Sequence, residues 1–230
     1  MARRKYRSRR RTRRRRRKMR IPKTLFGDSK VVKHRYCIAG QQQVGAGPAP
    51  FAIIQSYRLL SPGDPNVSTL AIARPLGFDQ MNTLFSNVQV LGAKTRLTYL
   101  PSSGHHQMVY WCAIEDDTRL GDPSGNLDDI LNRRNTTYKY SMQNPGSTPG
   151  TTLTRKHSPK KFNNFQDYKD ADDYSCTPAT QVLSPTFDNF LNFGFSTTHV
   201  GTGTPAAEVD FALIITYICR WYGPTNPPPS

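Results

Sequence analysis

The chain has 230 residues, a formal net charge of +16 and only 36% hydrophobic residues. Twelve arginines, two lysines and no acid fall within its first twenty residues, which leaves 18 basic against 16 acidic residues in the remainder. A run with so little apolar surface and so much self-repulsion is excluded from any core, so the chain reads as a disordered basic arm on a nearly neutral body of about 200 residues.

The arm, residues 1–29, offers Arg3, Arg4, Lys5, Arg7, Arg9, Arg10, Arg11, Arg13, Arg14, Arg15, Arg16, Arg17, Lys18 and Arg20 as candidate nucleic-acid-binding residues. Each phosphate they neutralise releases condensed counterions and adds affinity that is salt-sensitive and independent of sequence. The excess of arginine over lysine favours multidentate phosphate contacts. Tyr6 is the only aromatic in the run, which argues against base stacking and sequence-specific readout. The same clusters match a nuclear-localisation signal and so imply import receptors as partners. No apolar stretch follows the basic run, as a secretory signal requires: Ile21-Pro22-Lys23-Thr24 is short and polar.

A folded domain is expected over residues 30–223. Lys30, Lys33 and Arg35, with His34 between them, either continue the phosphate-binding surface or form an ordinary polar strand face. The spacing predicts strands over Lys30–Ile38 and Phe51–Leu60, then a long one over Phe85–Leu100. In that long strand Leu91, Ala93, Leu97 and Tyr99 share one face and Lys94, Arg96 and Thr98 the other, whereas Val88 and Val90 have the opposite parity. A phase flip beside Gly92 predicts a β-bulge.

Met108–Ile114 is apolar on both parities and reads as a strand covered on both sides. A short helix is expected over Ser124–Arg134, with Leu127, Ile130 and Leu131 as its apolar stripe, acids in its first turn and arginines in its last. Further strands are expected over Thr136–Met142, Thr151–His157 and Phe187–Thr197. Arg155, Lys156, His157, Lys160 and Lys161 form another basic cluster, open to the same two readings as the first. From Glu208 to Tyr222 the odd positions Val209, Phe211, Leu213, Ile215, Tyr217, Cys219 and Trp221 are apolar, the alternation of one long half-buried strand. A proline-rich tail, residues 224–230, ends the chain. The longest apolar run, Phe211 to Cys219, is far below the length of a membrane span, so no membrane partner is expected.

Cys37, Cys112, Cys176 and Cys219 have no zinc-type spacing, and three lie in strand-like runs, as reduced and buried thiols of a soluble protein in a reducing compartment would. His105-His106 are neighbours in a loop-like segment and cannot share one strand face as paired metal ligands do. The acids at 115–117, 128–129 and 170–173 lack EF-hand spacing and adjoin turn-like sequence. No nucleophile, metalloprotease or phosphate-loop motif is present, so neither an enzyme nor a cofactor is expected.

Strands without intervening long helices indicate an all-β antiparallel sandwich. The basic arm, the segment Phe85 to Pro101, the following Val109 to Asp117 and the terminal Glu208 to Tyr222 together resemble the capsid proteins of circoviruses and related small circular single-stranded DNA viruses. That resemblance implies a single eight-stranded jelly roll with strands lettered B to I. It makes Lys30–Ile38 B, Phe85–Pro101 C, Val109–Asp117 D, Thr151–His157 E, Phe187–Thr197 part of G and Glu208–Tyr222 I, with F and H unplaced. It leaves Phe51–Gly77 without a counterpart. It further implies a homo-oligomer of about sixty copies closed by icosahedral symmetry, a packaged single-stranded DNA genome, a host attachment factor on outer loops, and location in the virion and, during assembly, the host nucleus. The competing reading from another class is a cellular nucleic-acid-binding structural protein of ribosomal or chromatin type with a basic tail.

Overall fold

The computed structural model describes residues 29–44, 55–67, 74–101, 107–116, 130–142, 150–164, 175–176, 188–197 and 207–225. The basic arm, and with it Arg3 to Arg20, lies outside the described residues, as do His105, His106 and most of the expected helix Ser124–Arg134. The strands are β1 (Ser29–Val44), β2 (Gln55–Arg58), β3 (Phe85–Pro101), β4 (Gln107–Glu115), β5 (Thr136–Met142), β6 (Thr151–His157), β7 (Ser175–Cys176), β8 (Phe190–Thr197) and β9 (Ala207–Pro224). Two short helices, α1 (Phe78–Asn82) and α2 (Pro159–Phe162), have no counterpart among the sequence expectations.

The strands form two antiparallel sheets, β1-β9-β3-β6 with β7 beside β3, and β2-β8-β4-β5. Apart from the two-residue β7, that is eight strands in two packed four-stranded sheets, each mixing early and late strands, which is the jelly-roll arrangement. The letters B to I therefore fall on β1 to β6, β8 and β9 in order. This corrects four of the assignments: Phe85–Pro101 is D, the strand from Gln107 is E, Thr151–His157 is G and Phe190–Thr197 is H. The short β2 occupies position C and Thr136–Met142 is F, so omitting them moved the count.

Alternation places the core. All seven odd positions of β9 from Val209 to Trp221 are buried, while the even positions are partly exposed. In β3 the register against β9 shifts between Val90 and Gly92, so Val88 and Val90 before the bulge and Ala93, Leu97 and Tyr99 after it all face inward. Leu91, the extra residue, is only half-buried. Leu191, Phe193 and Phe195 of β8 and Met108, Tyr110, Cys112 and Ile114 of β4 supply the opposing face. On the outer side of β4, Trp111 and Ala113 are covered by Ile130 and Leu131, which accounts for a strand apolar on both parities.

Tyrosines join the two sheets. Tyr99 of β3 stacks on Tyr110 of β4 at 4.6 Å and donates its hydroxyl to the Gly194 carbonyl of β8 at 2.9 Å. Tyr217 of β9 donates to the Arg58 carbonyl of β2 at 2.7 Å. Each crosses the sandwich and satisfies a polar tip that burial would otherwise penalise. Cys112 and Cys219 are buried free thiols as expected, but Cys37 is exposed, because it lies on the odd, outward parity of β1.

Candidate nucleic-acid interface

β1 inserts its even residues His34 and Tyr36 into the core and turns Lys33, Arg35 and Cys37 outward. Lys30 has the inward parity, yet it sits near the strand's start, opposite Trp221, and is exposed there. The patch anticipated in the sequence is therefore split. Lys33 and Arg35 share a face, Lys30 lies at its rim, and His34 is a core residue.

The sheet register brings other cations to that face. Arg35 pairs with Thr216 of β9, Thr216 with Lys94 of β3, and Lys94 with Lys156 of β6. Residues in register point the same way, so Arg35, Lys94 and Lys156 form one row across the four strands, the first two separated by about 10 Å. The next row contains Cys37, Ile214, Arg96 and Thr154. Lys33 lies one row to the other side, opposite Ile218, and Arg220, set over the Tyr222 ring at 5.3 Å, one row beyond.

Lys33, Arg35, Lys94, Arg96 and Lys156 are exposed, and none takes part in the ion pairs Arg58–Asp64, Arg74–Asp79 or Arg133–Glu115. The described acids of this face, Asp210 and Glu208, stand at the far end of β9, roughly 20 Å or more along the strand from Thr216. The row spacing is close to the Debye length at physiological salt, about 8 Å, so neighbouring cations reinforce one another's field. Such a stripe attracts a polyanion and exchanges its counterions for phosphates.

The second anticipated cluster is dispersed. Arg155 turns toward β5, where its guanidinium donates to Thr137 Oγ1 and the Asn135 carbonyl, both at 2.7 Å. His157 is buried and shares a hydrogen bond with Asn189 Oδ1 at 3.1 Å; burial pushes its pKa down to about 4, so it is neutral. Lys160 and Lys161 lie on α2. Only Lys156 joins the basic face. Sequence reading missed Lys94, Arg96 and Arg220 as members. The available signal was the Lys94/Arg96 alternation, but which strands flank β3 is a long-range fact that periodicity does not carry.

No protein-family model matches the chain, and no curated protein matches it in sequence. Solved structures similar to it include one titled Desmodium yellow mottle tymovirus, at 10% identity, covering 91% of this chain and 97% of that one with a TM-score of 0.41. Tobacco necrosis virus matches at 11% identity, 87% and 85% coverage and a TM-score of 0.47. A decameric BFDV capsid protein matches at 10% identity, 84% and 99% coverage and a TM-score of 0.43. At such identities these likenesses concern at most the fold, and a shared fold does not carry function.

Proposed function

We propose that this chain is a structural capsid protein that closes a small icosahedral shell of about sixty copies and packages a circular single-stranded DNA genome through its basic arm. The observation that carries this reading is the charge division: 14 basic residues and no acid in twenty, ahead of a nearly neutral body folded as a jelly roll. Sixty chains at +16 each would carry a net charge of roughly +960, of the same order as a strand of one to two thousand nucleotides at one phosphate each. In this reading the arm also engages import receptors, assembly takes place in the host nucleus, and the outer loops meet a host attachment factor. Lys30, Lys33 and Arg35 extend the arm's phosphate contacts onto β1.

The cellular alternative predicts a basic patch on the folded body, and the sheet face described above supplies one despite the body's neutral total. Assembly separates the two readings. Electron microscopy of the purified protein should show uniform closed shells, and removal of residues 1–20 should leave shells depleted of nucleic acid. A protein that stays monomeric under all conditions, or a truncated shell still holding full-length nucleic acid, would refute the capsid or the arm respectively.

A further inference from the structure

We infer that Ser158 is a phosphorylation site for a proline-directed protein kinase, and that the resulting phosphoserine is held in the basic cleft beside it. The first ground is the sequence around the hydroxyl. Six serines or threonines precede a proline in this chain: Ser61, Thr148, Ser158, Thr177, Ser184 and Thr204. Only Ser158 has a base three residues on, in Ser158-Pro159-Lys160-Lys161. A kinase that accepts proline needs no N–H from the residue after its target, and an acidic subsite on it would select the lysine. Ser61, by contrast, is fully buried and has Asp64 at that distance.

The second ground is access. Ser158 is half-buried and extended, with φ −127° and ψ 107°, and its hydroxyl does not cap α2. Lys160 and Lys161 are exposed. β6, which leads into Ser158, is the edge strand of its sheet. The one turn of α2 rests on three backbone hydrogen bonds, from Lys161 and Phe162 to the Ser158 carbonyl and from Asn163 to that of Pro159. So short a helix opens at little cost into the extended form a kinase grips.

The third ground is the cleft. Ser158 lines an open cleft of about 220 Å³ together with Arg155, Lys156 and Lys161, and no acid is among the lining residues. Arg155 donates to Thr137 Oγ1 and the Asn135 carbonyl, but its Nε–H is buried without a partner. His157, also on the wall, is neutral and engaged with Asn189. Three cations without a counter-charge favour a phosphate dianion, through charge-assisted hydrogen bonds.

The group comes from ATP. Ser158 Oγ attacks the γ-phosphorus, the new P–O ester forms as the bond to the β–γ bridging oxygen breaks, and ADP leaves with that oxygen. The hydroxyl proton passes to the kinase's catalytic carboxylate.

Folded full-length protein is incubated with a purified cyclin-dependent kinase and ATP, and digested for mass spectrometry. One phosphate is expected on the peptide holding Ser158, none there in Ser158→Ala, and about tenfold slower labelling in Lys161→Gln. No phosphate on Ser158, or labelling only after unfolding, would overturn the site, and an unchanged rate in Lys161→Gln would overturn its selection by charge. Phosphorus NMR of the modified protein then reads the cleft. The phosphate, ordinarily titrating near pH 6, should titrate about half a unit or more lower in the folded protein than in urea, with the difference shrinking in Lys156→Gln. Equal titration in the folded and urea-unfolded protein would overturn the docking. Neither measurement needs a shell, so failure here and failure of the capsid reading are separate results.

Discussion

Trp221 donates its indole Nε1–H to Nε2 of His34 at 3.0 Å, inside the core between the end of β9 and the start of β1. Because an indole only donates, His34 Nε2 must be unprotonated, and its Nδ1–H points to the Leu76 carbonyl at 3.4 Å. Both ring nitrogens are thus committed in the neutral form. Burial lowers the His34 pKa, with the Leu76 carbonyl opposing more weakly. Phe78 and Trp221 pack edge-on around the ring. Protonating His34 would set an N–H against the Trp221 N–H. Replacing His34 with Phe should leave that indole buried without an acceptor and cost about 1–3 kcal/mol in denaturant unfolding.

Acid should reveal a balance among three buried groups. His34 and His157 have folded pKa values below the unfolded one, about 4 for His157. As pH falls below about 6.5 the unfolded chain binds protons that these folded sites refuse, so stability drops toward pH 4. Asp188 works in the opposite sense. Burial raises its pKa to about 6, despite hydrogen bonds from Ser61 Oγ and the backbone N–H groups of Leu60 and Asn189. Its folded form takes up a proton between about pH 6 and 3.8, which adds stability as pH falls. Asp188→Asn keeps an acceptor for both backbone donors and removes that offset. Its melting temperature should therefore fall more steeply than the wild type's between pH 6.5 and 4. Parallel slopes for the two proteins would show that Asp188 does not titrate in this range.

Gly223, next to last in β9, has φ +66°, a backbone conformation that a Cβ disfavours. A Cβ there would also lie 2.5 Å from Ser86 Oγ, the atom that donates to the Gly223 carbonyl at 2.8 Å. Gly223→Ala should cost about 1–2 kcal/mol from the left-handed backbone alone, and more from the displaced Ser86. Adding Ser86→Ala should recover only the steric part, measurable as a partial return of the unfolding midpoint.

Local pattern made some of this architecture legible and topology hid the rest. The inward residues of β9 and the phase flip at Gly92 follow from period-2 alternation within single strands, which needs no knowledge of neighbours. β2 is four residues long with one fully buried side chain among them, Tyr57, too short for a period to mark its place in the strand order. The basic face was hidden for another reason. Arg35, Lys94 and Lys156 are scattered along the chain, and their meeting depends on β9 inserting between β1 and β3. Cys37 was misjudged because Lys30–Ile38 alternates weakly: Val31 is exposed and His34 buried, the reverse of their polarity.

Paired substitutions in β9 test both faces at once. Leu213 is fully buried and its neighbours on the same face are Phe211 and Ile215, so Leu213→Asp places an unpaired carboxylate in the core and should cost several kcal/mol. The expected outcome is insoluble or unassembled protein. Thr216, on the other face, sits in register between Arg35 and Lys94. Thr216→Asp sets a carboxylate between two exposed cations, where mutual attraction offsets its desolvation, so the fold and assembly should survive. The same carboxylate should weaken the face for phosphates, and a filter-binding titration should show lower nucleic-acid affinity with a shallower salt dependence. Sedimentation reads the folding half of this contrast. Equal behaviour of the two variants would show that the facing of β9 is wrong, and an unchanged salt slope for Thr216→Asp would show that the Arg35–Lys94–Lys156 row does not touch nucleic acid.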